Sequence, residues 1–186
     1  MTKEDFFGRF CKTLENTKRI YELDGDGDSL HDSLILWFGE NYLSLDPDEI
    51  KPRIVKDSCA EGVDALLIDD IDKRLIFVAA KTVKTFDKTA DNFSETDVKS
   101  TLAGVRFLIN GEYKGKITPK LEDLVNEYHA LDKTGDYKAL VIFLAFKKLP
   151  VSNKYMENFE KEFSRIKCDF FDFDSLYDFY NNVYFS

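Results

Sequence analysis

Asp64, Lys81 and position 79 are where residue type and spacing in this chain could support chemistry. Asp64 follows Gly62 and Val63 at the head of an apolar run, and a carboxylate placed there needs a partner, because an unpaired buried charge is costly. RLIFVAAKTVK, residues 74–84, holds a second apolar run, which ends in Ala79 and Ala80 and is followed by Lys81. DDIDK, residues 69–73, has turn composition, so the two runs are expected to pair as a hairpin. The pairing strand then brings Lys81 back to the end where Asp64 begins. Alternation puts positions 79 and 81 on one face, about 7 Å apart. Such a trio suits electrostatic work: a carboxylate holds a cation and an ammonium steadies developing negative charge. Alanine at 79 supplies no such group. A plainer reading stays open from spacing alone: Asp64 caps a turn, and Lys81 carries its stem out of the core to water.

The elements that must position these residues follow from periodicity. Residues 3–22 place Phe6, Phe7, Phe10, Leu14, Ile20 and Tyr21 at helical spacing, predicting one or two helices. SLHDSLILWFGENYL predicts another, with Leu30, Leu34, Trp37 and Phe38 on one face. DPDE, residues 46–49, reads as a loop, and IKPRIVKDSCAEG as a short strand and turn. The hairpin occupies residues 63–68 and 74–83. Ser94, with Asp97 three residues on as a partial capping box, starts a helix that stops at Asn110-Gly111. A further helix follows Pro119. YKALVIFLAF, residues 137–146, is an uninterrupted apolar run and predicts a central strand buried on both faces. NKYMENFEKEFSRI is helical, KCDFFDF a strand and SLYDFYNNVY a last helix. The order predicts an α/β fold, a mixed central sheet flanked by helices behind an N-terminal helical segment. The aromatic segment VYFS suggests a piece of a longer polypeptide.

The totals narrow the function classes. The chain has 186 residues, 44% of them hydrophobic, including 17 Phe and 9 Tyr, enough for one domain with a sizeable core. A formal net charge of −9 argues against binding nucleic acid by bulk electrostatics, though not against a local basic strip or a metal that supplies positive charge. The 26 Lys and Arg are interspersed with the acids, which disfavours an acidic DNA mimic. Cys11, Cys59 and Cys168 have no metal or disulfide spacing, which fits a reducing, cytoplasmic setting. No run approaches the roughly 20 apolar residues of a membrane span. DGDGDS, residues 24–29, has calcium-loop spacing at Asp24, Asp26 and Asp28, but Ser29 and Ile35 stand where Gly and Glu belong. His31 and His129 have no partner at metal or triad spacing, and no GxGxxG, Walker or GxSxG pattern occurs.

EGVDALLIDDIDKRLIFVAAK, residues 61–81, resembles the core of PD-(D/E)xK nucleases, whose fold is restriction-endonuclease-like. Their pattern is an Asp at the start of one strand, a hairpin turn, and (E/Q)-x-K near the end of the next. The likeness is strongest to the N-terminal nuclease-like region of abortive-infection phage-resistance (AIPR) proteins. FSETDV, LEDLVNEYHALDKTGDYK and FFDFD are similar too, so the resemblance covers roughly residues 28 to 180. It implies a single nuclease-like domain, with residues 1–27 as a helical extension and 28–186 as the core.

The resemblance further implies an Mg²⁺- or Mn²⁺-dependent endonuclease of an anti-phage defence protein, with DNA as the expected substrate and RNA as the open alternative. Asp64 is then a metal ligand, Lys81 the catalytic lysine, and the Ala80 carbonyl a backbone ligand. Asp32, from the preceding helix, joins the metal set, with Glu61 and Glu40 as weaker candidates. Implied partners are nucleic acid, a second copy, or C-terminal domains of the full-length protein. The chain departs from the family at Ala79, where Glu or Gln is expected. A deliberate inactivating substitution, a natural pseudo-nuclease and a displaced acidic residue each account for it. A non-catalytic binding or assembly domain on the same fold is the alternative function.

Overall fold

The computed structural model describes residues 1–23, 30–56, 60 and 62–185. Among them four strands form one mixed sheet in the order β1-β2-β3-β4: β1 (Ala65–Asp69), β2 (Arg74–Lys81), β3 (Lys138–Ala145) and β4 (Ile166–Phe171). β1 is antiparallel to β2, whereas β2, β3 and β4 run parallel. The expected α/β architecture, with its mixed sheet, flanking helices and N-terminal helix, is therefore present.

Helices cover both faces. On one lie α1 (Lys3–Ile20), α2 (His31–Asn41) and α7 (Phe173–Phe185), packed on Ile76, Val78 and Ala80 of β2 and Ile142 and Leu144 of β3. On the other lie α4 (Glu95–Ile109), α5 (Pro119–Asp132) and α6 (Lys154–Glu162), packed on Leu75, Phe77 and Ala79 of β2 and Val141 and Phe143 of β3. β3, the strand predicted to be central, is buried at nearly every position because it is covered twice. α1 is a working part of the first core: Phe6, Phe10 and Leu14 are fully buried, and Phe10 meets Trp37 edge-on at 4.6 Å between ring centroids.

Some connections differ from the sequence reading. DPDE begins a one-turn helix, α3 (Pro47–Ile50), because the Asp46 carboxylate accepts the Asp48 N–H (2.8 Å) and Pro47 suits the first turn. The short strand expected after it is a 3₁₀ turn (Lys51–Arg53) and a single bridge, Ile54 to Ala65, which covers the outer edge of β1. Residues 3–20 form one helix, capped by a Thr2–Asp5 capping box. The 3₁₀ turn Phe86–Ala90, after β2, has no counterpart in the sequence reading.

The hairpin turn is tied by Asp69. Its Oδ1 accepts the N–H groups of Ile71 and Asp72 at 3.1 and 3.0 Å, and Oδ2 takes both Nε and Nη2 of Arg74. Burial opposes ionisation of Asp69, but these donors outweigh it and hold the carboxyl below its ordinary value. A depressed folded-state value contributes stability that is present above the unfolded value and lost as pH falls through the folded one. Wild-type protein should therefore lose stability more steeply below about pH 5 than Asp69→Asn does, in urea denaturation at a series of pH values.

Candidate functional site

Composition and alternation over residues 63–83 predict a plain hairpin. The structure adds a bulge at its open end. Ala65 pairs with Val78, and the N–H of Asp64 also donates to the Val78 carbonyl, at 2.7 Å. Two residues of the entering chain thus meet one residue of β2, an arrangement that re-aims side chains at a strand end. The Asp64 carbonyl faces the other way and accepts the N–H of Val55, at 2.7 Å. The half-buried carboxylate reaches along the rim of β2, where Oδ2 accepts the N–H of Ala80 at 2.8 Å. The structure therefore joins Asp64 to the peptide between positions 79 and 81, at the carboxyl ends of the three parallel strands. In open α/β sheets that edge is the common location of ligand sites.

Gly62 makes this entry path possible. Its φ is +73°, and a Cβ there would lie 2.8 Å from both Cα and N of Thr101 in α4. Thr101 fixes the approach by donating its hydroxyl to the Gly62 carbonyl (3.1 Å). α4 is thereby pressed against the loop that delivers Asp64. Its start is held by Ser94, whose hydroxyl accepts the N–H groups of Thr96 and Asp97 at 3.2 and 3.4 Å.

Lys81 and Ala79 share a face of β2 by alternation. Ala79 is only 4% exposed and packs among residues of α4 and the facing core. Lys81 is half-exposed, and its Nζ lies 3.5 Å from Oδ2 of Asp97 on the first turn of α4. On sequence alone Asp97 is only a capping residue. Its four-residue spacing from Thr101 was the available signal, since residues four apart share a helix face.

Asp32 and Glu40 both lie on α2. Asp32 is on the first turn of α2, which packs on the opposite face of the sheet from Ala79, and its carboxylate lies 3.8 Å from Nζ of Lys56. Glu40 is eight residues further along α2, about 12 Å by helical rise. Glu61 lies outside the described residues, as do Cys59 and the calcium-like segment at 24–29. The Ala80 N–H that Asp64 binds lies on the β1 side of β2, and in a strand the carbonyl of the same residue points the same way. Among the described residues no group of three or more His, Cys, Asp or Glu side chains is placed to hold a metal ion. Asp64 offers one carboxylate, already engaged with a backbone N–H, and position 79 offers a methyl group.

The other reactive residue types are structural. The Nε2 of His129 lies 3.2 Å from the Leu108 carbonyl and caps the end of α4. Burial pushes the thiols of Cys11 and Cys168 up to about 11 and about 12, so neither is a nucleophile near neutral pH. Among the described residues no helix is long and apolar enough to cross a membrane.

No protein-family model, curated protein or solved structure matches the chain.

Two substitutions check the local geometry by chemical denaturation. Asp64→Ala leaves the Ala80 N–H without its acceptor and should cost about 1–3 kcal/mol, most of which Asp64→Asn recovers because its amide oxygen can accept the same bond. Gly62→Ala should cost about 2 kcal/mol or more, from the left-handed backbone and the collision with Thr101.

Proposed function

We propose that this chain is a nuclease-like domain of the PD-(D/E)xK type, from an anti-phage defence protein, whose hairpin addresses the phosphodiester backbone of DNA. One observation carries the reading. Asp64 is held by its own carboxylate against the Ala80 peptide, and Ala79 and Lys81 flank that peptide on one face. The elements of D…(E/Q)-x-K thus converge at one sheet edge, although they come from the two ends of the hairpin sequence. Lys81 supplies positive charge for a phosphoryl oxygen. Ala79 is the one element of the pattern that this chain lacks.

The resemblance to AIPR proteins supports the defence setting, with DNA as the proposed substrate and RNA as the alternative. A second reading, a non-catalytic binding or assembly domain, is favoured by the burial of the alanine within the core on the α4 side. That reading makes the partner a protein or a second copy.

The two are separated by restoring position 79. Ala79→Glu and Ala79→Gln should bind Mg²⁺ in calorimetry, an affinity that Asp64→Asn removes, and should nick plasmid DNA in the presence of Mg²⁺. Lys81→Ala added to either should abolish cutting. Failure of both folded variants to bind Mg²⁺ or to cut would overturn the nuclease reading in favour of the assembly domain.

A further inference from the structure

We infer that Asp97 is the positioning residue for Lys81, the group that holds its ammonium over the rim where a phosphate would sit. The inference rests on the nuclease-like reading above for what Lys81 does, but on geometry alone for how Lys81 is held.

Four contacts place Asp97. Ser94 caps the first turn of α4 and accepts the Asp97 N–H, so the backbone that carries this carboxylate is fixed. One turn later Thr101 docks on Gly62, at a distance that admits no Cβ. Asp97 and Thr101 share a helix face, so the docking of Thr101 also aims Asp97 at the sheet edge. The carboxylate reaches the Lys81 ammonium at 3.5 Å, while Asp64 holds the neighbouring Ala80 peptide. Lys81 thus leaves a rigid strand end and meets a rigid helix start.

The restraint matters because lysine is a flexible point charge. Its four-carbon stem must lose rotamer freedom before it can serve one site. Lys81 and Asp97 are each 41% exposed, so the pair adds little to folding stability. What it does is bias one orientation of a side chain that would otherwise sweep through solvent. Asp97 also lies on the N-terminal turn of α4, where a negative charge suits the helix dipole. A role limited to the dipole would leave the behaviour of Lys81 unchanged, which is the basis of the test.

The first arm uses the chain as it is. Lysines are acylated with an amine-directed reagent at limiting extent, and site-by-site rates are read by mass spectrometry. Asp97→Asn should raise the rate at Lys81 about threefold, the size expected for loss of an exposed ion pair, with distant lysines unchanged. Asp97→Glu should return it close to the parent value. An unchanged Lys81 rate in folded Asp97→Asn overturns the inference.

The second arm adds Asp97→Asn to the Ala79→Glu form. A misplaced lysine should lower kcat about tenfold or more. KM for DNA should hold or fall, since a carboxylate beside the phosphate has been removed. Asp97→Glu should restore kcat. An unaltered kcat overturns the inference. If Ala79→Glu itself does not cut, the nuclease reading fails, and the acylation arm alone decides whether Asp97 restrains Lys81.

Discussion

The hydrogen bond from the Ala80 N–H to the Asp64 carboxylate ties together two points far apart along the hairpin. It joins the entry to β1 with the exit of β2. β1 cannot supply the next rung of the ladder there, because the bulge at Asp64 has already turned the chain aside. A side chain supplies it instead. The same bond satisfies a buried backbone donor and fixes the direction of a carboxylate, so the stability of the strand end and the geometry of the site are one quantity. This is why a charge can stand at the head of an apolar strand: it stays half-buried and gains a donor from the strand it joins.

α4 completes the arrangement by contact at both ends of the hairpin. Thr101 meets the residue two before Asp64, and Asp97 meets Lys81. The close approach at Gly62 leaves little freedom in the seating of α4, and a rigid seat converts helix position into side-chain position. The opposite face is built differently. There α1, α2 and α7 contribute an aromatic cluster around Phe6, Phe10, Trp37 and Tyr180 that stabilises the sheet and lies on the far side from Ala79 and Lys81. One face carries most of the aromatic packing, and the other carries the candidate chemistry.

Ala79 sits where these two demands meet. Its methyl group belongs to the packed core under α4, yet it is two residues from a half-exposed lysine.

Much of this was legible in the chain order. The runs at 63–68 and 74–83 differ in length and are joined by turn residues, so the hairpin and the return of Lys81 towards Asp64 follow from period and composition. The burial of β3 follows from its unbroken apolar run, and the start of α4 from Ser94. The bulge did not follow, because it depends on which carbonyl two successive N–H groups share, and no residue type encodes that choice. Neither did the short helix at Pro47–Ile50, where local capping overrode loop-like composition.

The sequence by itself determined the parts: an α/β order, a carboxylate before one strand, a lysine at the end of the next and an alanine between. These rest on local propensity and short-range periodicity, which act within a few residues. Only the tertiary structure decided that Asp64 binds the peptide of Ala80, that Asp97 meets Lys81, and that Asp32 lies beside Lys56. Each of those joins elements distant in sequence, and distance in sequence carries no information about contact until the helices are seated on the sheet.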